Sequence, residues 1–293
     1  MQYRYRVVDV FTTEQLEGNP LAVFLDAASL DQLTMQKIAR ELNLSETAFV
    51  LPPTRPDCLA RVRIFTPRYE LSFAGHPIIG TSFVLLDEKM ITPPGDRFVL
   101  DILVGPVPVR VELGDHPLIW LTTPLIEWGA TYDPATCAEA LGLHVDEILR
   151  IPPQQLSAGN PNIFIPVTDR KAVDRAILDL VGLRKLKGEQ EEPVCVFVFT
   201  PTAFGPYSRM FAPEFGVAED PATGSATGPL AAYMIRHHLV AASAGTHFYS
   251  EQGTAMGRRS ILHVQVNGEH GAESIEVGGH VAPVAEATMT LIG

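Results

Sequence analysis

The chain repeats itself, and the repeat limits what it can fold into. Gly18-Asn19-Pro20, followed by Leu21-Ala22-Val23-Phe24, returns 141 positions later as Gly159-Asn160-Pro161, followed by Asn162-Ile163-Phe164-Ile165. Farther along, Ala74-Gly75-His76-Pro77-Ile78-Ile79-Gly80-Thr81 has a counterpart in Ala222-Thr223-Gly224-Ser225-Ala226-Thr227-Gly228-Pro229, with Gly75 and Gly224 149 positions apart. A single recurring Gly-Asn-Pro carries little weight. Two pairs in the same order, at nearly equal offsets, point to two related domains rather than one mixed core. The expected domains are 1–128 and 129–278, with a C-terminal strand over 279–293 returning to the first. Chemistry is expected in the cleft between the halves.

The 293 residues are 46% hydrophobic, enough for one large or two medium cores. No apolar run reaches the length of about 18 residues that a membrane helix needs, and no basic-then-apolar leader is present, so the expected location is the cytosol. A net charge of −12 without any Lys/Arg-rich stretch disfavours nucleic acid and anionic membrane surfaces as partners. Cys58, Cys137 and Cys195 are odd in number and widely spaced, and lack close ligand partners, which reads as reduced core thiols and no metal site.

Strands are expected over Arg4–Phe11, Ala22–Leu25, Glu46–Leu51, Ala60–Phe65, Arg97–Leu103, Val107–Leu113 and Leu118–Thr122. That is too many consecutive strands for a doubly wound parallel sheet. Asp31–Leu42 reads as an amphipathic helix with Asp31 as its N-cap. Asp133–Leu143, Lys171–Leu178 and Leu180–Lys187 read as surface helices. Pro77–Leu86 and Gly228–Ile235 differ, because each is apolar on nearly every side and therefore belongs inside a core. The fold class expected from this is α+β, with each domain a mostly antiparallel sheet curled around one buried helix.

A buried helix that begins with glycines gathers free backbone N–H groups and the positive end of its dipole at one spot, a ready site for an anion such as a substrate carboxylate. The same glycines could serve only close packing. Neither segment carries a Walker A or Gly-x-Gly-x-x-Gly pattern, so nucleotide cofactors have no support. Three ionisable residues stand out. Glu46, at the start of an apolar strand, would have its pKa raised by burial and could act as an acid or base, or else point to water. His76, at a helix start, is biased toward the neutral form and placed for proton transfer, or is a satisfied structural histidine. Asp220 is either a helix cap or the counterpart of His76 in the second repeat.

The runs Gly18–Phe24, Leu44–Val50, Phe65-Thr66-Pro67 with Glu70-Leu71 and Phe73–Pro77, and Glu219–Ala226 together resemble the PhzF family of phenazine biosynthesis over essentially the whole chain. The resemblance implies the diaminopimelate epimerase-like fold of two pseudo-symmetric domains, and most simply a homodimer. It implies isomerisation of trans-2,3-dihydro-3-hydroxyanthranilate, or a related small cyclic carboxylate, by an internal proton shift without cofactor. Glu46 matches the family's catalytic glutamate. His76 and Asp220 match residues assisting the transfer, Gly75 and Ser225 match substrate-contacting positions, and Gly224 stands with them at the second helix start. Arg209-Met210-Phe211, Gln252-Gly253 and Gly257-Arg258 resemble family segments of supporting role. Epimerases of this fold use a cysteine beside each helix, whereas here the corresponding neighbourhoods carry Ala74 and Asp220. The alternatives are an isomerase or epimerase of another small acid, and a non-catalytic small-molecule binding protein.

Overall fold

The computed structural model describes residues 1–240, 243, 245–268 and 274–291. The chain divides into two compact units, Met1–Thr122 with Gly278–Gly293, and Thr123–Val277. Among the described residues no helix is long and apolar enough to cross a membrane.

The first unit runs β1 (Gln2–Val10), β2 (Asn19–Phe24), α1 (Gln32–Leu42), β3 (Glu46–Leu51), β4 (Ala60–Phe65), β5 (Glu70–Leu71), α2 (Gly75–Asp87), β6 (Arg97–Ile102), β7 (Gly105–Glu112) and β8 (Leu118–Thr122). The second runs β9 (Glu127–Thr131), α3 (Pro134–Ala140), β10 (Gln154–Ser157), β11 (Pro161–Pro166), α4 (Arg170–Arg175), α5 (Leu180–Lys187), β12 (Cys195–Thr202), β13 (Gly205–Ala212), β14 (Val217–Asp220), α6 (Gly224–Arg236), β15 (Thr246–Gln252) and β16 (Ser260–Val266). The chain passes back to the first unit within β17 (Ile275–Gly279) and ends in β18 (Val281–Thr290).

The repeat seen in the sequence is a repeat of topology. In the first unit the ladder β1–β2–β3–β4–β6–β7 pairs antiparallel, parallel, antiparallel, parallel, antiparallel. The ladder β10–β11–β12–β13–β15–β16 of the second unit follows the same sequence of pairings. Short strands β5 and β14 add antiparallel to β4 and β13. The outer position beside β1 is filled by β18 from the chain's end, and the matching position beside β10 by β9, which precedes it. Each sheet is thus mixed, with antiparallel pairs in the majority.

Both central helices are buried for the reason their composition suggests. Ten residues of α2 are buried, from Gly75 through Ser82 with Val84 and Leu85, and the helix packs on β1, β2, β3, β4, β8 and β18. A Cβ at Gly80 would lie 2.6 Å from Leu21 Cδ2 and 2.8 Å from Val10 Cγ2, so glycine lets the helix approach the strands. In the second unit Ala226, Leu230, Tyr233 and Met234 of α6 meet Leu156, Phe164, Phe197, Phe199 and Met210. The alternate residues Ile163, Ile165, Val196 and Val198 face the other way, onto α3, α4 and α5, as the two-residue period of a strand requires. The outer face of the first sheet carries Tyr5, Phe24 and Phe49 stacked in a row, with Phe65 edge-on to Phe49, under α1.

Boundaries moved where glycine and proline obscured the pattern. The helix expected over Gly228–Ile235 begins at Gly224 and contains Pro229. That proline leaves the Ser225 carbonyl without its usual helical donor. The helices expected over Asp133–Leu143 and Lys171–Leu178 are the shorter Pro134–Ala140 and Arg170–Arg175.

Candidate active site

In the first unit, local structure brings Glu46, His76 and Asn19 together. Glu46 opens β3, in register with Leu21 of the parallel strand β2. His76 is the second residue of α2 and is 5% exposed. Its Nε2 stands 3.3 Å from Glu46 Oε2, close but not aligned as a full hydrogen bond; catalytic pairs often start this way and tighten as the reaction complex forms. The other ring nitrogen, Nδ1, lies 3.3 Å from the Nδ2 of Asn19, which is fully buried. Burial holds the imidazole at about 3, well below its ordinary 6.5, so His76 is neutral at physiological pH. Glu46 keeps 16% of its side chain exposed. A carboxylate that is partly screened from water and backed by a neutral imidazole is a proton acceptor with a fixed orientation.

In the second unit, Asp220 ends β14 and is 9% exposed. Its Oδ2 accepts from the Thr223 hydroxyl at 2.6 Å. Gln252, fully buried on β15, holds the intervening loop from behind: it donates to the Asp220 carbonyl at 2.7 Å and to the Thr223 hydroxyl at 3.0 Å, and accepts from the Thr223 N–H at 3.1 Å. Gly224 and Ser225 then occupy the first two positions of α6. One relation expected from the sequence is corrected here. The residue matching His76, second in a 13-residue buried helix, is Ser225, while Asp220 lies four positions before the helix and corresponds to Leu71.

The two buried helices share a feature that sets them apart. Asp31, Asp133, Asp169 and Asp179 cap α1, α3, α4 and α5 through their side chains. Ala74 and Thr223, at the N-cap positions of α2 and α6, make no side-chain cap hydrogen bond. Their leading N–H groups and dipoles are left for another acceptor.

Sequence reading missed two further features. Asn19 was visible only as part of the Gly-Asn-Pro repeat. An Arg–Glu fork also precedes each buried helix: Arg63 grips Glu70 with two bonds of 2.6 Å, and Arg209 grips Glu219 with two of 2.8 Å. The recurring Arg-x-Phe of β4 and β13 was the available signal, since each guanidinium also lies over the ring two residues on.

Cys58, Cys137 and Cys195 are buried and unbridged. Burial pushes the Cys137 thiol up to about 12 and raises Cys195 as well, so neither offers a thiolate. Among the described residues no group of three or more His, Cys, Asp or Glu could hold a metal ion.

Two mixed sheets with matching topology, each wrapped on a helix whose N-terminus lacks a side-chain cap, define an epimerase-like α+β protein. Solved structures of the same architecture include one described as a probable proline racemase from Agrobacterium radiobacter, at a TM-score of 0.68 and 14% identity over 99% of this chain and 93% of that one, a likeness of fold alone. The match extends much further in one family. The model for phenazine biosynthesis-like proteins, PhzC-PhzF, covers residues 8–287. The trans-2,3-dihydro-3-hydroxyanthranilate isomerase of Pseudomonas aeruginosa is 36% identical over 97% of this chain and 98% of its own. An uncharacterized isomerase of Mesorhizobium japonicum is 39% identical over 99% of both. The structure of a predicted epimerase from Pseudomonas aeruginosa superposes with a TM-score of 0.82 at 36% identity, over 99% of this chain and 100% of that one. The chain belongs to the PhzF family of isomerases.

Proposed function

We propose that the protein is a cofactor-independent isomerase that shifts a proton within a small cyclic carboxylate such as trans-2,3-dihydro-3-hydroxyanthranilate, with Glu46 as the proton carrier. The observation that carries this reading is the Glu46–His76 pair at the start of α2, in a chain 36% identical to an isomerase named for that substrate. The Glu46 carboxylate takes a proton from a substrate carbon, and the electron pair of the broken C–H bond remains in the conjugated system. The same carboxyl group, or one that has exchanged with water, returns a proton to another carbon. Nothing is gained or lost, so substrate and product are isomers.

His76 steadies the carboxylate without lending it a positive charge that would weaken it as a base. Gly75 at the head of α2, with Gly224 and Ser225 at the head of α6, is assigned to the substrate's polar groups, and Asp220 to assisting the transfer. Shielding Glu46 from water protects the carried proton from side reactions. A homodimer in the cytosol is part of the same proposal.

The test is to incubate the protein and its Glu46→Gln variant with trans-2,3-dihydro-3-hydroxyanthranilate in deuterated water, following product and deuterium by NMR and mass spectrometry. Turnover with deuterium uptake by the unaltered protein, and a rate about 10³-fold lower in Glu46→Gln, is expected. Turnover undiminished in Glu46→Gln would remove Glu46 from the mechanism. Failure of both would direct attention to another small acid. Glu46-independent binding without exchange into any ligand would mark a binding protein.

A further inference from the structure

We propose that Asn19 is a positioning residue that holds His76 in the tautomer bearing its proton on Nε2, so that a neutral N–H faces Glu46. The inference rests on Glu46 being the proton carrier, and it deepens that reading by saying which form of His76 serves it.

An amide nitrogen carries hydrogens and no available lone pair, so Asn19 Nδ2 can only donate. Its contact at 3.3 Å with His76 Nδ1 therefore requires Nδ1 to be the acceptor. A neutral imidazole has one proton, which must then sit on Nε2, the nitrogen 3.3 Å from Glu46 Oε2. In the opposite tautomer an Nε2 lone pair would face the carboxylate oxygen and repel it. Protonation at both nitrogens would place a full positive charge there and depress the basicity of the proton carrier. Only the Nε2–H tautomer gives the carboxylate a neutral donor.

The local sequence explains how Asn19 reaches this position. Gly18 turns the chain with φ +64, and a Cβ there would meet the Val10 carbonyl oxygen and come within 2.7 Å of Thr12 Cγ2. The following residue is thereby delivered to the start of β2, paired with Val10 and with no surface exposed. A buried carboxamide is costly unless its groups are used. The second copy of the motif supplies a comparison inside the same chain. There the asparagine, Asn160, is only half-buried, and the helix residue matching His76 is Ser225. Where there is no imidazole to hold, the asparagine of the repeat is not sequestered.

The test reads the tautomer directly. In protein labelled with ¹⁵N-histidine, long-range ¹H–¹⁵N correlation at pH 7 distinguishes a protonated from an unprotonated ring nitrogen for each histidine, and His76→Gln assigns the signal. The expected result for His76 is a protonated Nε2 and an unprotonated Nδ1; the reverse assignment, or an imidazolium, overturns the proposal without any variant of Asn19. In Asn19→Asp, which keeps the side-chain shape but accepts where asparagine donates, the ring proton is expected to move to Nδ1. An unchanged Nε2–H signal in that folded variant would also overturn it. With trans-2,3-dihydro-3-hydroxyanthranilate as the probe, Asn19→Asp is expected to lower kcat about 100-fold with KM changed less than threefold. An unchanged kcat would remove the positioning role. Absence of turnover by the unaltered protein would count against the proposed substrate, leaving the tautomer result to stand or fall alone.

Discussion

Arg209 grips Glu219 through two parallel hydrogen bonds of 2.8 Å, and Glu219 lies five positions before the first residue of α6. Glu70, held by Arg63, lies five positions before the first residue of α2. Both forks are largely buried, with 11–16% of each side chain exposed. They tie β5 to β4 and β14 to β13 immediately before the chain enters each central helix, and so fix where that helix begins.

Breaking a fork is expected to destabilise its unit. Removing one partner of a largely buried ion pair leaves the other charge uncompensated, at a cost of about 3 kcal/mol. The two partners are not equivalent in the second unit, because Arg209 also donates to the carbonyls of Val173, Asp174 and Ala176 at the end of α4. Arg209→Met should therefore cost more than Glu219→Gln in urea unfolding. Equal losses would show that the α4 contacts contribute nothing.

His76 gives stability a definite pH dependence. Above pH 6.5 the imidazole is neutral folded and unfolded and contributes no slope. Between 6.5 and about 3 the unfolded chain binds a proton that the folded chain does not. Over that window His76 makes stability fall on acidification, by up to about 1.4 kcal/mol per pH unit. Carboxylates add their own acid sensitivity, so the measurement is a difference: unfolding free energies of the protein and of His76→Gln from pH 7 to 4. The variant should lose less stability on acidification, and parallel curves would mean that His76 titrates normally.

Gln252 should be sensitive even to a conservative change. It makes two bonds as donor and one as acceptor to the 220–223 loop, and a carboxylate can reproduce only the last. Gln252→Glu is expected to cost about 3 kcal/mol, close to the cost of Gln252→Leu, because each strands buried polar groups. Chemical denaturation of the two variants checks this. A Glu variant as stable as the natural protein would show that the donated bonds do not hold the loop.

Much of this molecule is written locally. Asp31 caps α1 as its position suggests, and β3, β4 and β8 fall on their expected residues. The all-round apolar character of the segments containing Ile78 and Leu230 marked the two central helices, because a helix without a polar face has nowhere to go but a core. Gly224 and Ser225 were harder to place inside a helix. Glycine and proline near α6 weaken its local helical signal, and burial overrides that weakness.

The relation of Asp220 to His76 was misread for a different reason. Two motifs can be aligned on their glycines in more than one way, and only the common length of the two helices shows that Ser225 occupies the matching position. Asn19 was marked only by the Gly-Asn-Pro repeat and Arg63 only by the Arg-x-Phe that recurs at Arg209, since an asparagine after glycine reads as a turn and an Arg-Glu pair reads as surface charge.

The duplication and the two buried helices were legible in the sequence, because hydrophobic periodicity and glycine placement act over a few neighbouring positions, while Glu46 and His76 entered as candidates through the family resemblance. What packing alone supplied is the meeting of Asn19 with His76 across 57 positions and of Gln252 with a loop 29 to 32 positions away. Those contacts depend on strand order and register, which the packing of the whole unit selects and no local pattern encodes.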